Sequence, residues 1–196
     1  MNPDAYTSEL QPMLLKARSV RGHKLRFRDA LPADAAFILR LRTDGEKSKY
    51  LSQTVASLER QTAWLEVYGR GSGQAYFVIE NAVGRPVGTV RLYDPVGHSF
   101  CWGSWIKDDG APPSFALESA LLVYHYGRSL GFTASHFDVR VDNERVCAFH
   151  ERLGARRVRS TALDHHYVMD AGAIDAALQA HARFLPEGVH IEAAGD

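Results

Sequence analysis

One stretch constrains this 196-residue chain more than any other: Val139-Arg140-Val141-Asp142-Asn143-Glu144-Arg145-Val146-Cys147-Ala148-Phe149-His150-Glu151-Arg152-Leu153-Gly154-Ala155. It reads as the end of a strand, an Asn that starts a helix, one amphipathic helix, and a Gly that stops it. A strand that feeds directly into a short helix fits a sheet flanked by helices, and the rest of the chain agrees.

Leu25-Arg26-Phe27-Arg28 alternates as a strand. Pro32-Ala33-Asp34 opens a helix with Phe37, Ile38 and Leu41 on one face, since Pro suits a first turn. Ser57 can cap a second helix in which Leu58, Thr62, Leu65 and Tyr68 recur at helical spacing, ended by Gly69 to Gly73. Three strands follow, Tyr76 to Glu80, Val87 to Tyr93 and Phe100 to Ile106. Turn-rich pieces separate them, as in an antiparallel meander. After the loop Lys107 to Pro113, Ser114 can cap a long helix carrying Phe115, Leu117, Leu121, Leu122 and Tyr124. A strand from His136 to Val141, the Asn143 helix, a strand near His166 to Met169 and an Ala-rich helix from about Ala173 to Phe184 complete the order βααβββαβαβ. Residues 1 to about 22 are polar and aperiodic and read as an extension. The expected fold is one mixed α/β (α+β) domain.

Lys plus Arg and Asp plus Glu are each 23, so the balance gives no reason to expect a nucleic acid partner. Cys101 and Cys147 both lie in hydrophobic segments, as buried free thiols of a reducing compartment would. No run of about 18 apolar residues suggests a membrane span, and Met13-Leu14-Leu15 is too short for a signal-peptide core, so a cytoplasmic protein is expected. The histidines lack metal-ligand spacing, no Gly-x-Ser-x-Gly nucleophile motif is present, and Gly69 to Gly73 is too short for a Walker-type loop.

The element order, together with Val139, Asn143, Val146, Phe149 and Gly154, resembles the GCN5-related N-acetyltransferase (GNAT) family over roughly residues 24 to 170. The resemblance implies a mixed, mostly antiparallel central sheet flanked by helices, and acetyl-CoA as co-substrate. It divides the chain into an extension (1–22), an acyltransferase domain (23–170) and a C-terminal helix and tail (171–196). Acyl transfer from a thioester to an amine must seat the pantetheine arm, polarise the carbonyl and manage two protons. Family members splay two adjacent strands into a slot for the arm; the matching strands here are Phe100 to Ile106 and His136 to Val141. N–H groups near Ser104, Trp105 and Ile106 would then act as an oxyanion hole, and Asn143 would stand beside the cofactor.

Family members hold the pyrophosphate on a basic, Gly-rich loop that runs into the long helix. Here Gly110, Pro113 and Phe115 occupy the pattern's positions, and Pro112-Pro113 removes two donors from a loop whose task is donation. Lys107 and the helix start at Ser114, Phe115 and Ala116 remain for the anion. The alternative is a stiff structural loop.

Asp138 and His150 match positions at which ribosomal-protein alanine acetyltransferases, a subgroup of the family, carry Glu and Tyr. Carried over, Asp138 would be the base toward the amine and His150 the acid toward the departing thiolate. The alternatives are an Asp138–Arg140 ion pair and an interior His150. Glu118, on the helical stripe of Leu121, Leu122 and His125, is a second candidate base, and Glu80 a weaker one.

Arg42, Lys47, Lys49, Tyr50, Trp64, Tyr93 and Trp102 fall on the side where the family admits acceptors. Aromatic planes with nearby cations would suit an amino sugar or a nucleotide-linked amino sugar, while Trp64 and Trp102 also read as core. The expectation is therefore acetyl transfer to a small-molecule amine. Acetylation of a protein N-terminus or an antibiotic amine is one alternative, and a non-catalytic acyl-CoA or ligand binder is another. The terminal helix is a candidate homodimer contact.

Overall fold

In the computed structural model, which describes residues 11–195, nine strands form a single sheet. Along the chain run β1 (Ala17–Arg21), β2 (Leu25–Asp29), a 3-10 turn (Pro32–Asp34), α1 (Ala35–Thr43), α2 (Leu58–Arg70), β3 (Ala75–Asn81), β4 (Pro86–Val96), β5 (Ser99–Lys107) and α3 (Phe115–Ser129). Then come β6 (Ala134–Arg140), α4 (Glu144–Arg152), β7 (Arg156–Ser160), β8 (Asp164–Met169), α5 (Ala171–Ala180) and β9 (His190–Ala193). The strand order is β7-β8-β6-β5-β4-β3-β2-β1-β9. Every pairing is antiparallel except β5 with β6.

The helix signals act as expected at several points. The Ser57 hydroxyl accepts from the Arg60 amide at 3.2 Å and caps α2. At the end of α4, Gly154 adopts φ 107°, and the Gly154 and Ala155 amides return to the Glu151 and His150 carbonyls. That reciprocal pair closes a helix only where the residue after the cap is left-handed, which favours Gly.

Strand β3 is buried along almost its whole length because both faces of the sheet are covered. Ala75, Phe77 and Ile79 join the large core with Leu121, Leu122 and Tyr124 of α3. Tyr76 and Val78 face the other way, against Ile38 of α1 and Leu65 and Tyr68 of α2. Cys101 and Cys147 are buried and unpaired, as expected.

Three strands depart from the sequence expectation. Residues 17–21 of the expected extension form β1, which pairs with β2, while residues 1–10 lie outside the described residues. Strand β9, in the expected tail, pairs with β1 at the sheet edge. Strand β7, Arg-Arg-Val-Arg-Ser, is exposed throughout. An edge strand needs no apolar alternation and gains protection from charge, so the pattern that reveals inner strands is missing from it.

Candidate active site

The parallel ladder between β5 and β6 holds only from Ser99–Ala134 to Cys101–His136. Past that point the two strands separate, and the β6-facing edge of Trp102–Lys107 has no strand partner. The divergence begins where β5 carries an extra residue: its register with β4 slips between Arg91–Gly103 and Thr89–Ile106. Such a bulge bends and twists the strand that carries it. Ser104, in the bulge, sits at φ 46°, a left-handed conformation that side chains rarely adopt outside over-determined sites. Two groups hold it. The buried Thr89 hydroxyl donates to the Ser104 carbonyl at 2.8 Å, and Arg42 Nη1 donates to Ser104 Oγ at 3.2 Å.

The opened strands enclose a cleft of about 270 Å³. Ser104 and Trp105 of β5, Asp138 of β6, and Asn143 and His150 at α4 all line it. Along β6, Phe137 and Val139 enter the core, so Asp138 between them points to the opposite face, where Arg42, Tyr50 and Tyr93 form the wall. Asp138 is exposed and makes no ion pair among the described residues; Arg140 turns instead to Asp164 at 3.2 Å. Asn143 stands at the N-cap of α4 without a side-chain cap bond, and only its carbonyl takes the Val146 and Cys147 amides. Its side chain therefore remains available to the cleft.

His150 is 3% exposed and packs among Trp102, Trp105, Phe137 and Phe149, with ring centroids 4.3 to 5.9 Å away. Its Nδ1 has no hydrogen-bond partner among the described residues. Burial in this aromatic shell, with no other cause, pushes its pKa down to about 3. At pH 7 only about one imidazole in 10⁴ then carries a second proton. Burial thus disfavours the imidazolium form that a resident proton donor would need.

Glu118 does not line the cleft. It is 1% exposed and accepts from the Lys24 amide at 2.6 Å, the Leu25 amide at 2.9 Å and the Ser114 hydroxyl at 3.3 Å. These backbone donors tie the Glu118 carboxylate to the β1–β2 turn, away from the cleft where the sequence reading would have it act as a base. Glu80 is likewise absorbed by Arg26 and Arg28, with Arg28 at 2.7 Å.

The loop from Lys107 to Ser114 can receive an anion, although not through the expected glycines. Its acids are already countered. Asp108 lies 2.6 Å from Arg40, which holds its carboxyl below the usual range, and Asp109 lies 3.0 Å from Lys47. The Phe115 amide is spent on the Pro112 carbonyl, whereas the Ala116 and Leu117 amides have no backbone acceptor among the described residues. Arg85 folds over the loop, its Nη1 within 3.7 Å of where a Cβ on Gly110 would stand, and Lys107 is exposed. These cations and free amides fit a pyrophosphate. Ile106 and Phe115 are buried, and Phe115 packs beneath Gly88, where any Cβ would lie 2.6 Å from its ring. Arg85 was invisible in sequence because twenty-five positions separate it from Gly110.

A second cavity of about 370 Å³ adjoins the cleft through Arg42, Ser52, Tyr93 and Ser104. Trp64, partly exposed, lines it, whereas Trp102 is core. Arg60 and Arg91 also line it. Neither was singled out from sequence, although Arg91 breaks the apolar run of β4, which was the available signal. Lys47 is consumed by Asp44, Asp108 and Asp109. Lys49 lies over the Tyr50 ring and lines neither cavity. Among the described residues no group of three or more His, Cys, Asp and Glu side chains could hold a metal, and no helix is long and apolar enough to cross a membrane.

Residues 24–156 match the family model for the acetyltransferase (GNAT) domain. No curated protein matches the chain. Among solved structures, apo FdhC, described as a nucleotide-linked sugar GNAT, is 33% identical, with a TM-score of 0.74 over 89% of this chain and 99% of that one. A GCN5-related N-acetyltransferase from Brucella melitensis is 17% identical (TM-score 0.72, 91% of each chain). The spermidine N-acetyltransferase of Vibrio cholerae, solved with CoA and spermine, is 16% identical (TM-score 0.68, 77% of this chain and 98% of that one).

Proposed function

Because the chain belongs to the GNAT family of acetyl-CoA-dependent N-acetyltransferases, we propose that it transfers an acetyl group from acetyl-CoA to the amine of a nucleotide-linked amino sugar, by direct attack. The observation that supports this most is the slot between the diverging β5 and β6, with Asp138 on one face and His150 on the other. Acetyl-CoA would supply an activated thioester. The unpartnered edge of β5 would seat its arm, Asn143 would stand beside it, and Arg85, Lys107 and the Ala116 and Leu117 amides would hold its phosphates.

The protein's own part is positioning and charge. Amides at the Ser104–Trp105 bulge donate to the thioester oxygen as negative charge grows there. Asp138 accepts the amine proton as the N–C bond forms and the C–S bond breaks, then returns it to solvent. The sulfur leaves toward His150, whose neutral ring donates one hydrogen bond to it, and takes its own proton from water. The acceptor side supports an anionic acceptor over a polyamine: three arginines and no carboxylate line the second cavity, and a polycation would be repelled there. The 33% identity to a nucleotide-linked sugar GNAT points the same way.

Calorimetric titration with acetyl-CoA and with free CoA, followed by thiol release with a panel of amines, tests the reading. Micromolar binding and acceptor-dependent thiol release are expected. Binding without release for any amine, or no binding, would overturn it.

A further inference from the structure

The second cavity holds three guanidinium groups that are positioned without being neutralised. Arg42 donates to Thr54 Oγ1 at 2.8 Å, to Ser52 Oγ at 3.2 Å and to Ser104 Oγ at 3.2 Å. Arg91 donates to the Gln74 side-chain carbonyl, at 2.8 Å from Nε, and lies over the rings of Trp64 and Tyr93. Arg60 stands at the start of α2, on the same wall. Every one of these bonds ends on a neutral oxygen, and no carboxylate among the described residues pairs with any of the three. Six other arginines, by contrast, are neutralised. Arg26, Arg28, Arg40, Arg128, Arg140 and Arg157 each meet an Asp or Glu within 3.2 Å.

Three like charges lining one cavity repel one another and destabilise the fold unless an anion enters. Orienting guanidinium planes with neutral acceptors keeps their full charge and their remaining N–H groups for that anion. The cavity also opens onto the cleft at Arg42, Tyr93 and Ser104, so an anion bound there is continuous with the place where the amine would meet the thioester.

We infer that Arg42, Arg60 and Arg91 form the diphosphate subsite of the acceptor, which holds a nucleoside diphosphate while the attached amino sugar reaches Asp138. This rests on the acceptor class proposed above and assigns it a location and three residues. Two phosphoryl groups in series match guanidinium groups spread along a groove better than the single charge of a free sugar acid would. The nucleoside would find an aromatic ring in Trp64, which lines the same cavity.

The test uses the full chain saturated with CoA, so that nucleotides cannot report on the cofactor's own phosphate site. Uridine, thymidine, guanosine, cytidine and adenosine 5′-diphosphates are titrated by calorimetry, into wild type and into Arg91→Gln and Arg60→Gln. At least one should bind with a Kd below about 100 μM, and each substitution should weaken it at least tenfold without changing CoA affinity. Arg60 is exposed, so its variant remains informative if Arg91→Gln fails to fold. Failure of every diphosphate to bind, binding displaced by CoA, or binding indifferent to both substitutions would overturn the subsite. If CoA binds and a neutral amine is acetylated while no diphosphate binds, only the subsite falls. If CoA itself does not bind, the enzymatic reading falls, and the same titrations without CoA still decide the subsite through the two variants.

Discussion

The buried His150 makes a quantitative prediction that needs no substrate. In the folded protein its pKa lies at about 3, against 6.5 for an unburied imidazole. Between those values the unfolded chain binds a proton that the folded chain refuses. The stability that depends on a neutral His150 is therefore complete above pH 6.5 and is lost as pH falls toward 3. Integrating the proton linkage, acidification from pH 7 to pH 5 should remove about 2 kcal/mol through this one residue. His150→Phe deletes the titration and keeps an aromatic ring among Trp102, Trp105, Phe137 and Phe149. The assay is urea unfolding of wild type and variant at both pH values. Wild type should lose about 2 kcal/mol more than the variant over that interval. Partial burial also depresses His125 and His136, but these are present in both proteins and cancel in the difference. Equal losses would refute the reasoning, because they would mean that protonated His150 finds water or a partner inside its aromatic shell.

Asp138→Asn should lower kcat at least tenfold in a thiol-release assay and leave the calorimetric CoA affinity unchanged; undiminished kcat would remove Asp138 from the chemistry. Thr89→Val frees the Ser104 carbonyl and should lower kcat by about tenfold or more at unchanged CoA affinity, while Thr89→Ser retains the bond and most of the activity. Glu118→Ala strands the Lys24 and Leu25 amides and should destabilise the fold by about 2–4 kcal/mol in urea, with near-normal turnover per folded molecule. Large loss of turnover without loss of stability would restore Glu118 as a catalytic candidate. Arg85→Ala should weaken CoA binding severalfold, with a smaller salt dependence than wild type; an unchanged titration would place the phosphates elsewhere.

How far the sequence reached follows from what each signal depends on. Local signals survive translation into structure: the apolar run of β3, the Ser57 cap and the Gly154 stop are set by neighbours within a few positions, and all three stand as read. The motif from Val139 to Ala155, with the element order, was enough for the family and for a mostly antiparallel sheet flanked by helices. Edge strands β7 and β9 escaped because exposed strands owe their pairing to a distant partner and carry no periodicity of their own.

The site needed tertiary information for the same reason. A carboxylate on an apolar helix reads alike whether it anchors a turn or serves a reaction, and only the approach of the Lys24 and Leu25 amides identified Glu118 as an anchor. The sequence placed His150 in the cleft-forming segment, but the direction of its pKa shift comes from burial among four aromatic rings drawn from β5, β6 and α4. Desolvation sums over everything within a few ångströms, whatever its position in the chain, so no local pattern encodes it. The same holds for Arg42, Arg60 and Arg91, which share one cavity only because α1 and α2 pack on the face of the sheet to which Arg91 of β4 points.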